Sequence, residues 1–127
     1  MNLKALYVDD HEDVRDVVEY SLKLDDSIDV VVADSGLAAL ALLDQGRFHP
    51  DVILLDVMMP VMDGPAVLAA LSDRPAFAQT PVIFVTARTQ SREIAAYRAL
   101  GVAGLITKPF DPLTLARDVR AMIAPAA

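Results

Sequence analysis

Five short apolar runs constrain the fold of this chain more than any other feature. LKALYV, IDVVVA, DVILL, PVIFV and LIT occupy Leu3 to Val8, Ile28 to Ala33, Asp51 to Leu55, Pro81 to Val85 and Leu105 to Thr107. Apart from isolated polar residues near their ends, they do not alternate apolar with polar. Strands covered on both faces read this way, whereas a sheet with one wet face would alternate. Between the runs lie segments with helical spacing. His11 to Leu24 carries Val14, Val17, Val18, Tyr20 and Leu22. Ser35 is placed to cap a helix from Gly36 to about Gln45, which Gly46 closes. Asp63-Gly64 opens a third helix reaching Ser72, and Ser91 to Leu100 forms a fourth, stopped at Gly101. Asp111 is placed to cap the fifth, with Pro112 at its first position and Leu115, Val119, Met122 and Ile123 as its apolar stripe. Strand and helix alternate throughout. The expected fold is a doubly wound α/β sheet of five parallel strands with helices on both faces.

The length of 127 residues suits a single domain spanning 1–127. With 54% hydrophobic and 23% charged residues, the composition is globular rather than disordered. The absence of cysteine excludes disulfides and thiolate metal sites. The N-terminal stretch reaches acids by Asp9, unlike a signal peptide, and no apolar run approaches the roughly 18 residues of a membrane span. A net charge of −7 argues against non-specific nucleic-acid binding, which needs basic clusters. These features lead us to expect a cytoplasmic domain without direct nucleic-acid or membrane contact. Pro125-Ala126-Ala127 reads as a frayed end or the start of a linker.

In a parallel sheet the strand C-termini lie along one edge, where ligand sites form. The polar residues at those tips are Asp9 and Asp10, Asp56, Thr86 and Lys108, with Asp34 only loosely associated. Each has an ordinary structural reading. Asp9-Asp10 can cap a helix, Thr86 is a common strand residue, and a surface Lys is usually just solvated. Their convergence changes the weighting. Clustered carboxylates repel unless one is neutralised or a cation is held, and oxygen-only donors favour a hard ion: Mg²⁺, Mn²⁺ or Ca²⁺. Carboxylates, a hydroxyl, an ammonium and a cation together suit a phosphoryl group. His11 lies near the acid cluster and His49 in the approach to the third strand; metal or phosphohistidine chemistry competes there with an at least equal expectation of solvated loop residues, and neither is assigned a role.

LYVDDHEDV, VILLDVMMPVMDG, PVIFVTA and GVAGLITKPF, in this order and at these spacings, resemble the successive signatures of response-regulator receiver domains of two-component signalling. The resemblance spans essentially the whole chain and implies the flavodoxin-like strand order 2-1-3-4-5. It implies a phosphorylation-dependent switch whose Asp56 accepts a phosphoryl group from a histidine kinase or phosphotransfer protein. It implies Mg²⁺, with Mn²⁺ as a substitute, held by Asp10, by Asp9 directly or through water, by Asp56 and by the carbonyl of Met58. Lys108 would pair with the phosphoryl oxygens or, before transfer, with Asp56, and its bond to Pro109 would be cis. Thr86 would swing toward the phosphoryl group and reshape the face built from the fourth helix, fifth strand and fifth helix. Such a domain is a phosphoacceptor rather than an enzyme, assisting only its own phosphorylation and slow dephosphorylation.

Three positions bear on departures from the pattern. Leu105 stands where relatives carry an aromatic switch residue, which turns attention to Tyr97 or Phe110. Met58 and Arg88 occupy sites that tune loss of the phosphoryl group, and neither is a general base for water. A haloacid-dehalogenase-type phosphatase would need an acid two residues after its nucleophile. Met58 follows Asp56 at that distance and His11 follows Asp9. A receiver-like module acting without phosphorylation is the other alternative. The output partner, the cognate kinase and any continuation of the chain are not written in these residues.

Overall fold

The computed structural model describes residues 2–88 and 90–124; the expected frayed end at Pro125 lies outside them. Strands β1 (Leu3–Val8), β2 (Ile28–Ala33), β3 (Val52–Asp56), β4 (Val82–Thr86) and β5 (Gly104–Thr107) alternate with helices α1 (Glu12–Lys23), α2 (Gly36–Asp44), α3 (Gly64–Ser72), α4 (Ser91–Ala99) and α5 (Leu115–Ile123). The strands form one parallel sheet in the order β2-β1-β3-β4-β5, as expected.

Side chains on successive strand residues point to opposite faces, and this divides the core in two. Leu6, Val8, Ile53, Leu55, Val82 and Phe84 pack with α2 and α3, and Tyr97 of α4 packs against the same cluster. Ala5, Tyr7, Val52, Leu54, Ile83, Val85 and Ile106 pack with Val18 and Leu22 of α1 and with Leu115 and Val119 of α5. The three central strands are therefore buried on both sides, which is why their sequences lack alternation.

Local signals end most of the helices where expected. The Ser35 hydroxyl accepts from Ala38 N–H at 3.0 Å and the Asp63 carboxylate from Ala66 N–H at 2.9 Å. Gly46 and Gly101 adopt φ of 75° and 86° just past the ends of α2 and α4, a conformation cheap only for glycine. The fifth helix differs from the expectation. Asp111 closes a preceding turn, accepting from Leu113 N–H at 2.9 Å on its carboxylate and from Thr114 N–H at 3.1 Å on its carbonyl. Pro112 lies inside that turn, and α5 starts after Thr114. Asp-Pro serves a turn as well as it serves a helix start, so the spacing alone did not separate them.

The loop from β3 to α3 contains one strained residue. Met62 N–H donates to the Pro60 carbonyl at 2.8 Å, closing a three-residue turn about Val61. Val61 has φ 69° and is 92% exposed. Positive φ at a β-branched residue costs on the order of 1–3 kcal/mol, and here no burial compensates. Val61→Gly is expected to raise stability by about 1 kcal/mol after the entropy that glycine adds to the unfolded chain. Urea unfolding checks this: the midpoint should rise at constant slope, and a lower midpoint would show that the turn is not strained.

Candidate functional site

The alternation that splits the core also places the site. Tyr7 and Asp9 share a face of β1, Leu54 and Asp56 share the corresponding face of β3, and Ile106 and Lys108 continue it at the end of β5. All of these lie on the α1/α5 side. Asp9 and Asp56 are buried, with side chains 0% and 5% exposed, and the Lys108 ammonium bridges them. It donates to Asp9 Oδ2 at 3.1 Å and stands 3.4 Å from Asp56 Oδ1. The contact to Asp56 is the one the resemblance implies before transfer; Asp9 is the nearer partner. The Lys108–Pro109 bond is cis.

Asp9 is saturated with donors. Oδ2 also accepts from the Tyr7 hydroxyl at 2.6 Å, Oδ1 accepts from His11 N–H at 2.9 Å, and the Arg15 guanidinium donates to the Asp9 carbonyl at 2.8 Å. Burial alone would raise the Asp9 carboxyl, but Tyr7, His11 N–H and Lys108 together hold it below the usual carboxylate range. Asp56 lies on the other side of the balance. Burial pushes it up, the Asp9 charge pushes it further, and Lys108 with Met58 N–H at 3.4 Å only partly oppose them. Burial and the neighbouring carboxylate raise the Tyr7 phenol far above its usual range, so it stays a donor.

Asp10 turns outward at 28% side-chain exposure, yet its Oδ1 is buried without a hydrogen-bond partner. Ligand atoms of Asp9, Asp10, His11 and Asp56 all lie within 4.8 Å of one another. A buried orphan oxygen among three carboxylates is what a divalent cation would satisfy, so the donor set fits Mg²⁺ or Mn²⁺.

Thr86 occupies the opposite face of the sheet, in line with Val82 and Phe84. Its hydroxyl accepts from Arg88 N–H at 2.9 Å, and the Arg88 guanidinium is paired with Glu93 of α4 at 2.7 Å. Leu105 is half-buried on this side, opposite Phe84 in the strand register, and the Tyr97 ring meets Phe84 edge-on at 5.7 Å. Phe110 packs into the other core. Asp34 is exposed at the tip of β2, and the exposed His49 ring stacks on Phe77 at 5.8 Å.

Sequence reasoning missed Tyr7, Arg15 and Glu93. For Tyr7 a signal existed: a phenol two residues before Asp9 on the same strand face. Tyr7→Phe is expected to cost about 1–3 kcal/mol at pH 7, the scale of a hydrogen bond to a charged acceptor. Because the folded Asp9 carboxyl is depressed, its stabilisation is present above the unfolded value of about 3.9 and is lost as pH falls through the folded one. The deficit should therefore hold from neutral pH to about 4.5 and narrow below that in urea titrations. A deficit of only a few tenths of a kcal/mol at pH 7 would remove Tyr7 from the account.

A doubly wound sheet of this order, with paired carboxylates, a hydroxyl and a lysine at its tips, suits phosphoryl chemistry. The chain belongs to the response regulator receiver domain family, whose model matches residues 5–120. It is 33% identical to the protein PilG of Pseudomonas aeruginosa over 121 residues, covering 95% of this chain and 87% of that one. It is 37% identical to the probable transcriptional regulator ycf29 of Pyropia yezoensis over 101 residues, covering 80% of this chain but only 45% of that protein. Among solved structures, the chemotaxis response regulator CheY4 of Vibrio cholerae superposes with a TM-score of 0.85 at 32% identity, covering 96% and 99% of the two chains. The chain thus spans under half of ycf29 and most of PilG. Among the described residues, no helix is long and apolar enough to cross a membrane.

Proposed function

We propose that Asp56 accepts a phosphoryl group from a phosphohistidine on a sensor kinase or phosphotransfer protein. The observation that carries this reading is the Lys108 ammonium bridging two buried carboxylates of opposite tendency. Asp9 is held ionised by three donors to its carboxylate, Tyr7, His11 N–H and Lys108, while Asp56 keeps an oxygen with few fixed partners and is the freer to attack phosphorus. A new P–O bond forms on Asp56 as the donor's P–N bond breaks, its electron pair returning to the imidazole. Lys108 then transfers its contact from Asp56 to the phosphoryl oxygens without leaving Asp9. Asp10, Asp9, Asp56 and the Met58 carbonyl would hold Mg²⁺ or Mn²⁺, whose charge when bound offsets that of the phosphoryl group. The apolar cleft beside Lys108, lined by Val14, Val17, Ala87, Pro109 and Phe110, gives the donor protein a seat next to the acceptor.

The output runs through the other face of the sheet. Drawing the Thr86 hydroxyl toward a phosphoryl group breaks its bond from Arg88 N–H and frees the loop that Glu93 tethers to α4. The space Thr86 leaves lies in the row of Phe84, against which Tyr97 packs, so Tyr97 supplies the aromatic readout that Leu105 cannot. Taking a population from 1:99 to 99:1 needs about 5.5 kcal/mol of differential contact, a scale that several charge-assisted bonds reach. Arg88 is engaged by Glu93 and Met58 is a thioether, so neither activates water and the acyl phosphate is long-lived.

Incubation with acetyl phosphate and Mg²⁺, followed by intact mass spectrometry, tests the reading. One phosphoryl adduct should form, be absent in Asp56→Asn and decay slowly once donor is removed. An adduct that survives Asp56→Asn would sink the assignment. Fast decay unaffected by Met58→Asn would remove the lifetime claim alone.

A further inference from the structure

We infer that His11 is an additional cation ligand, through Nδ1, and that it shifts the cradle's preference from Mg²⁺ toward divalent transition ions. This rests on reading Asp9, Asp10 and Asp56 as a cation cradle. His11 sits at the N-cap of α1 with φ −97° and ψ 116°, a position where Ser, Asp or Asn normally bonds the free helix N–H groups. Its side chain makes no such cap. The imidazole instead turns to the acids, with Nδ1 3.2 Å from Asp9 Oδ1 and 3.3 Å from Asp10 Oδ1.

Those two separations resemble an edge of a coordination shell. Neighbouring ligands on an octahedral ion with bonds of about 2.1 Å stand about 3.0 Å apart. Nδ1 therefore already lies close to where a ligand would sit beside both oxygens. Asp10 Oδ1, buried and without a hydrogen bond, lacks a partner that such an ion would provide. The backbone fixes the arrangement, because His11 N–H itself donates to Asp9 Oδ1 at 2.9 Å and so ties the residue to the carboxylate it would share. An imidazole nitrogen adds little for Mg²⁺, which prefers oxygen and water, but it strengthens binding of Mn²⁺, Co²⁺ and Ni²⁺ in the usual order of affinities. The His11 side chain is 65% exposed, so its removal leaves the core intact.

The test uses the whole chain, with Mn²⁺ as the spectroscopic probe and Co²⁺ and Mg²⁺ by calorimetry, in the parent, His11→Ala and Asp10→Asn. Electron spin echo spectra of the Mn²⁺-loaded parent should show modulation from a directly bound imidazole nitrogen, absent in His11→Ala. Co²⁺ affinity should fall about tenfold in His11→Ala, while Mg²⁺ affinity moves less than about threefold. Mn²⁺ bound in an Asp10-dependent way without nitrogen modulation overturns the role of His11 and leaves the acidic cradle standing. Failure to bind Mn²⁺, or binding indifferent to Asp10→Asn, overturns both.

Discussion

Asp56→Asn is expected to melt several degrees above the parent chain at pH 7 in the absence of divalent cations, although it removes the acceptor. The buried Asp56 carboxylate is pushed up by burial and by Asp9, and Lys108 only partly offsets this. A carboxyl with a raised folded value binds more protons in the folded than in the unfolded state, so it lowers stability as pH rises through that window. The deficit is absent below the unfolded value of about 3.9 and complete above the folded one. An amide in the same place removes it. Lys108 is not orphaned by the change, because it keeps its bond to Asp9 at 3.1 Å. The expected gain is about 1–2 kcal/mol, or roughly 4–6 °C for a domain of this size. Scanning calorimetry at pH 7 and at pH 4 checks both sign and window: the gain should shrink in acid. Saturating Mg²⁺ should narrow or invert the ranking, since a ligand stabilises only the chain that binds it. A variant melting at or below the parent at pH 7 without cation would show that Lys108 fully neutralises the pair.

Much of this site was legible because a parallel sheet collects strand tips along one edge. Five continuous apolar runs imply that sheet, and reading the next polar residue of four of them gives Asp9, Asp56, Thr86 and Lys108 directly; the second run leads instead to the exposed Asp34. The same periodicity also separates them by face. Asp9, Asp56 and Lys108 continue the row under α1 and α5, while Thr86 continues the row of Phe84. That division was available from counting residues along each strand and it determines which helix face reads the switch. Tyr7 was harder to identify, since a tyrosine inside an apolar run is ordinary until its hydroxyl is known to meet a carboxylate. Arg15 and Glu93 depend on how helices are rotated over the sheet, which their own spacing fixes only loosely. The start of α5 differs for another reason: Asp111-Pro112 serves a turn and a helix start with similar local hydrogen bonds, and here Asp111 closes a turn before α5 begins at Leu115.

Gly64→Ala is expected to cost about 2–3 kcal/mol and to slow phosphorylation of Asp56 without touching its carboxylate. A Cβ at Gly64 would lie 3.0 Å from the Asp56 carbonyl oxygen and 3.0 Å from Val57 Cα. Both are backbone atoms at the tip of β3, and Gly64 N–H is bonded to the Val57 carbonyl at 2.9 Å. Neither side of the contact has a rotamer with which to give way, so relief requires moving α3 or the acceptor strand. The carboxylate must be held close to its attack geometry, and small displacements cost rate steeply. Gly46→Ala provides the contrast. Its φ of 75° makes alanine strained, but nothing lies within 4 Å of the new Cβ, and α2 leads into the start of β3, the end opposite the tip that carries Asp56. That change should cost on the order of 1 kcal/mol and leave the phosphorylation rate as it is. Urea unfolding with a time course of acetyl phosphate labelling separates the two. If Gly64→Ala is destabilised but phosphorylated at the parent rate, then the close approach of α3 supports the fold alone. If its rate falls while that of Gly46→Ala does not, the glycine ending MMPVMDG positions the acceptor through the backbone it touches.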